Sequence, residues 1–153
     1  MGPLQWGAVT AVAALLAVVA GLAGSVQVAV MGRFGDRVGV VAALAFATGV
    51  QLLLATVLLL VTRNTGGIGT AFRVPPWMWA GGLMGLIVVY AITFAQPRIG
   101  ATTTIGILIA GQLVMGALID RFGLFGVAAI PLTWQRVVGL ALLAAGAGLT
   151  LTR

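Results

Sequence analysis

Five long apolar runs follow one another along the chain, each closed by charged or turn-forming residues. Cut at the charges, they extend over residues 2–32, 38–62, 74–97, 99–119 and 137–152. Trimmed by turn residues, they predict helices near Leu4–Met31, Val38–Thr62, Trp77–Gln96, Ala101–Ile119 and Thr133–Thr152. Each supplies about 20 residues, the length that crosses about 30 Å of hydrocarbon. The connectors carry helix breakers: GRFGDR, RNTGGIGTAFRVPP, PRIG and DRFGLFGVAAIP. Pro76 and Pro131 lie just ahead of predicted helices, where a missing N–H costs nothing. No run alternates polar and apolar residues as a membrane strand must, and lipid accepts only helices or closed barrels. The expected fold is therefore an all-α membrane protein, a single domain over residues 1–153 with five transmembrane helices.

Composition strengthens this reading. The chain is 61% hydrophobic and 7% charged, whereas about a quarter of the residues in a soluble domain are charged. The first run lacks a basic leader and outlasts the apolar segment of a signal peptide, so it is expected to be a retained helix. Cysteine and histidine are both absent, which removes thiol nucleophiles, thiolate metal sites and imidazole chemistry. No enzyme activity, cofactor or metal is expected. The net charge of +6 comes from eight arginines set against two aspartates. Scattered singly or in pairs over the connectors, these arginines suit anionic lipid headgroups as partners and not nucleic acid.

Their distribution bears on orientation. With five crossings, Arg63, Arg73, Arg121 and Arg136 share the side of the N-terminus, and Arg33, Arg37, Arg98 and Arg153 lie opposite. Basic residues in short loops set the orientation of a membrane protein, and a tie of four to four leaves no bias. The expectation is insertion in both orientations and assembly as an antiparallel, inverted homodimer. Trp6, Trp77, Trp79 and Trp134 all fall at one set of helix ends, where aromatic rings mark an interface without choosing which.

Polar groups within the runs are few. Gln51 and Gln112 fall near the middle of their helices, and Gln27 and Gln96 lie toward helix exits. A mid-membrane amide needs a partner that lipid does not supply, so these residues should face protein or a cavity. At 100° per residue, Gln112, Gly116 and Asp120 form one stripe on the fourth helix, and Ala13, Ala20, Gly24 and Gln27 form another on the first. Gly82, Gly85, Thr93 and Gln96 share a face of the third. Small-xxx-small pairs such as Gly81 with Gly85 and Gly106 with Ala110 allow tight packing, as do Gly139, Gly146 and Gly148 on the fifth helix. Asp120 adjoins Arg121 at the end of its span, which favours a solvated ion pair over a coupling carboxylate. Tyr90, mid-helix, can offer a ring face to a cation or a hydroxyl to a polar solute.

The segment GGLMGLIVVYAITFAQPRIGATTTIGILIAGQLVMGALIDRFGLFG, Gly81 to Gly126, resembles the YdcZ-type family of the drug/metabolite transporter superfamily. The resemblance is carried by Gly81, Gly82 and Gly85, by Pro97-Arg98-Ile99-Gly100-Ala101, by Ala110-Gly111-Gln112 and by Asp120-Arg121-Phe122-Gly123. Gln27 and the closing RVVGLALLAAG, Arg136 to Gly146, are similar as well. Met31 stands where the family usually carries asparagine, and Arg121 where histidine often follows the aspartate. The resemblance implies five-helix units in a bacterial inner membrane, single, paired or fused, with inverted assembly. Related small multidrug resistance proteins couple protons to cationic drugs through a glutamate in the first helix, and this chain has no acid there. Neutral or weakly polar substrates, or uncoupled transport, are expected instead.

The expected function is small-molecule transport by alternating access as a dual-topology homodimer, with Gln27, Gln112, Tyr90 and Gln51 lining the substrate site and Asp120 with Arg121 as an ion pair or coupling group. The competing expectation is a non-transporting membrane scaffold, or one half of a heteromeric transporter pair, in which the glutamines only join helices.

Overall fold

A computed structural model describes the backbone of residues 3–63 and 66–150, with side chains described from residue 9 onward except at residue 66. Within these residues the chain is helical and holds no strand. The helices are α1 (Pro3–Val38), α2 (Val40–Val61), the short α3 (Gly66–Ala71), α4 (Ala80–Ile99), α5 (Ala101–Phe122) and α6 (Trp134–Leu149). A 3-10 turn at Pro76–Trp79 leads into α4, and another at Leu124–Gly126 follows α5. Four helical segments are long and apolar enough to cross a membrane: Val9–Val38, Val40–Val61, Pro76–Ile99 and Ala101–Phe122. The fifth expected span corresponds to α6, which has 16 residues. Thr152 and Arg153, included in the expected helix and in the arginine tally, lie outside the described residues, as do the side chains of Gln5 and Trp6.

The connectors differ from expectation. MGRFGDRVG is no loop: Met31 to Val38 forms the last two turns of a 36-residue α1, and only Gly39 breaks the helix. PRIG likewise remains helical through Ile99, and only Gly100 interrupts it. The two breaks share one conformation, φ 89° and ψ 148° at Gly39 and φ 83° and ψ 161° at Gly100. This region of backbone space belongs almost entirely to glycine. In both cases the glycine carbonyl accepts the first bond of the next helix, from Ala43 at 3.0 Å and from Thr104 at 3.1 Å.

The likeness extends outward from the glycines. With an offset of 61 residues, Arg37-Val38-Gly39 aligns with Arg98-Ile99-Gly100, Gln51-Leu52 with Gln112-Leu113, and the 22-residue α2 with the 22-residue α5. Buried Met31 and Ile92 each stand eight residues before their glycine.

The chain divides into two compact units, residues 29–97 and residues 1–28 with 98–153. In the first, the end of α1 presses against α4. Gly32 and Gly35 are buried, and a Cβ on Gly32 would stand 2.9 Å from the Cβ of Gln96. A Cβ on Gly35 would meet the Thr93 methyl. These glycines, which read as turn residues, give α4 its room. Thr93 is fully buried, and its hydroxyl donates to the Val89 carbonyl at 2.6 Å. Pro97 sits in the last turn of α4 and removes the N–H that the Thr93 carbonyl would otherwise accept. Phe34 and Phe46 meet edge to face across the Gly39 junction, with ring centroids 5.6 Å apart. The indole N–H of Trp79 donates to the Ala71 carbonyl at 3.3 Å, tying the approach to α4 onto α3.

In the second unit α5 and α6 run antiparallel. Near the start of α5, the Thr103 hydroxyl donates to the Thr150 carbonyl at 2.8 Å, and a Cβ on Gly106 would lie 3.6 Å from Ala147. Ala147 is the buried residue of α6, whereas Gly139, Gly146 and Gly148 have open space where a Cβ would go. The packing role expected of those three glycines thus falls to Ala147. Gly81 and Gly85 are open in the same way. After α5, Gly123 turns left-handed and Phe125 adopts φ 60°, so the chain folds back and the Ile130 N–H donates to the Asp120 carbonyl at 2.7 Å.

Candidate functional site

The stripe read from the sequence on the fourth predicted helix becomes one wall of a groove between α5 and α6. Gln112, Leu113, Gly116, Ala117 and Asp120 line it from α5, and Arg136, Gly139, Leu140 and Leu143 from α6, around a volume of about 370 Å³. Gly116 and Gly139, on opposite walls, leave space that side chains would fill. The helices are held at one end by the Thr103–Thr150 bond and at the other by an ion pair. Here the Asp120 carboxylate accepts from Arg136 Nη1 at 3.2 Å.

The partner of Asp120 is therefore Arg136, sixteen residues on, and not the adjoining Arg121. Successive helical residues point about 100° apart, so neighbours in sequence are poorly placed to pair. Arg121 is exposed and makes no ion pair among the described residues. Side-chain exposures of 34% for Asp120 and 45% for Arg136 mark a half-solvated pair at a helix end. Such a pair contributes only about 0–1 kcal/mol to stability. Its chemistry matters more: Arg136 answers the negative charge of Asp120, leaving the mouth of the groove zwitterionic.

Gln112 lies eight residues from Asp120, about 12 Å along the helix, with apolar wall between. Its amide makes no hydrogen bond among the described residues, so its donors and acceptor are open to the groove. Of the site residues expected from the sequence, Gln112 and Asp120 line this groove, together with Gly116 of their stripe. Gln27 is half-buried on α1, and Gln51 is exposed on α2. Tyr90 stacks on Phe94, with centroids 6.4 Å apart and planes 9° from parallel. Gln96 and Thr93, expected to share a face with Gly82 and Gly85, both lie against α1, the Gln96 side chain and its amide on Gly32 and Thr93 on Gly35. Met31, at the position where asparagine is usual, is buried at 5% exposure, and an apolar side chain there needs no partner. Arg136, Gly139, Leu140 and Leu143 were not singled out as site residues. The i, i+3, i+4 and i+7 spacing of the first, second, third and last is the signal that puts them on one face.

Comparison with known proteins agrees with this architecture. The sequence profile of the family described as "Putative inner membrane exporter, YdcZ" matches residues 12–149. The Inner membrane protein YdcZ of Escherichia coli K12 is 36% identical over 77 residues, which is 50% of this chain and 51% of that protein. The match thus spans about half the length of this curated relative. No solved structure shows a significant match. With apolar helices of membrane length and a family match over nearly all of its residues, the chain is an integral inner-membrane protein and belongs to the YdcZ family of the drug/metabolite transporters.

Proposed function

We propose that the protein is a small-molecule exporter: a five-helix membrane domain paired with a second, inverted copy and working by alternating access. The observation that carries the reading is the α5–α6 groove, in which an apolar wall joins an unpartnered amide, Gln112, to the Asp120–Arg136 pair. This combination suits an apolar or amphipathic solute with one hydrogen-bonding group. A net-cationic drug gains little from a carboxylate already answered by arginine. Gln27 and Tyr90 are proposed to add polar contacts along the path, Arg121 to meet headgroups, and Gln51 is taken up below.

Inverted pairing is supported by the four-to-four arginine balance, which requires α6 to cross with the other four helices. In an inverted pair, inward-open and outward-open states become near-equivalent, and exchange of shape between the two copies alternates access. The description of the family as an exporter supports transport over catalysis.

Flux from proteoliposomes tests the site. Gly116→Leu should fill the groove and abolish transport while the protein still folds. Gln112→Ala should lower flux roughly tenfold, as expected for one lost hydrogen bond of about 1.4 kcal/mol. If no amphipathic solute moves and Gln112→Ala changes only the stability of the assembly, the chain is a scaffold or half of a heteromeric pair. Orientation is tested separately. Thr70→Cys in the connector, labelled with an impermeant reagent in intact cells, should react in about half of the molecules if both orientations occur.

A further inference from the structure

We infer that α2 is the seam between the two copies, and that the Gln51 amides of the two copies bond to each other across a two-fold axis in the membrane midplane. The inference rests on the inverted-pair reading above and adds to it a surface and a contact.

The starting point is a polar group in the wrong solvent. α2 has 22 residues, about 33 Å of helix against about 30 Å of hydrocarbon. Gln51 is its twelfth residue and so lies at the bilayer centre. The side chain is exposed, flanked by Leu52, Leu53 and Leu54 at 69%, 63% and 62% exposure, and makes no hydrogen bond among the described residues. Lipid tails have neither donor nor acceptor for it, so another protein surface must supply both. Gln112 holds the equivalent position on α5, but there α6 builds a groove around it. On α2 the Gln51 amide is exposed instead.

Symmetry then selects the partner. Two inverted copies are related by an axis lying in the membrane, so a residue meets itself only at the midplane, and each residue displaced from it meets one displaced equally the other way. Gln51 stands at that one self-facing position. A primary amide carries both donor and acceptor, so two of them close a reciprocal pair without help from any other group. Ala47, half-buried, and Ala55, exposed, four residues to either side on the same face, would lie opposite one another and let the backbones approach. Leu44, farther along this face, is already buried within its own chain, which confines the contact to the central turns.

The absence of cysteine makes the test direct. In native membranes under mild oxidation, Gln51→Cys should give a disulfide-linked dimer. Ala55→Cys alone should not, because inversion separates its two copies by about 12 Å along the helices, well beyond disulfide reach. Co-expressed Ala47→Cys and Ala55→Cys should cross-link to each other. Gln51→Leu should weaken the dimer roughly 3- to 30-fold, the range for one interhelical polar contact in lipid. Half-labelled Thr70→Cys together with no Gln51→Cys dimer overturns the seam and leaves inverted pairing standing. Cross-linking of Ala55→Cys alone as readily as Gln51→Cys shows a parallel seam and overturns both.

Discussion

At Gly39 and at Gly100 the chain performs one manoeuvre twice, with the same backbone angles, the same preceding arginine and β-branched residue, and a following helix of the same length. The two regions differ in what their following helices carry. The second has Thr103, Gly106, Asp120 and Arg121 where the first has Ala42, Ala45, Leu59 and Leu60. Those substitutions convert a plain apolar helix into one that binds a neighbour: the threonine bonds α6, the glycine admits it, and the aspartate pairs with it. A central glutamine is common to both, so that residue alone does not make a site. The Gln112 amide lies in a groove that α6 helps to enclose, whereas the Gln51 amide is exposed, which is why we assign it to the partner copy.

The comparison is open to direct attack at its shared element. Ala at Gly39 or at Gly100 should cost about 1–3 kcal/mol each, since an L residue is strained at these angles. Thermal unfolding in detergent should show similar losses, and a large loss at one site with none at the other would break the equivalence. Next in size is close packing. Gly32→Ala should destabilise by about 1–3 kcal/mol through overpacking against Gln96. Gly106→Ala, with 3.6 Å to Ala147, should be nearly neutral in the same assay. Smaller still, Thr103→Val should cost about 1 kcal/mol by removing the bond to the Thr150 carbonyl. Asp120→Asn should move stability by less than about 1 kcal/mol, because the pair is half-solvated. Its effect should appear in flux, and loss of stability without change in flux would separate the ion pair from the site.

Much of the fold was legible because hydrocarbon imposes a coarse code, in which apolar length alone marks a crossing. The connectors were less so. Gly32, Gly35 and Pro97 read as breakers by the rules of water, but a helix in lipid keeps its backbone bonds because nothing else can replace them. There the small residue serves the neighbouring helix, and the glycines that end one, Gly39, Gly100 and Gly123, have positive φ. In the site, the stripe of Gln112, Gly116 and Asp120 followed from helical spacing and lines the groove. The partner Arg136 did not, since pairing across α5 and α6 depends on how the intervening chain folds back through Gly123 and Phe125. No periodicity encodes that return.

The helices also disagree about the bilayer they want. At 36 residues α1 is about 54 Å long, and at 16 residues α6 is about 24 Å. In the proposed five-crossing arrangement the surrounding lipid must accommodate both, tilting or outlasting the first and thinning beside the second. Because α6 is one wall of the groove, the thinned collar falls where a polar headgroup would sit nearest the Asp120–Arg136 pair. On that proposal acyl-chain length becomes a control on transport, and short-chain lipids should favour flux over long-chain ones.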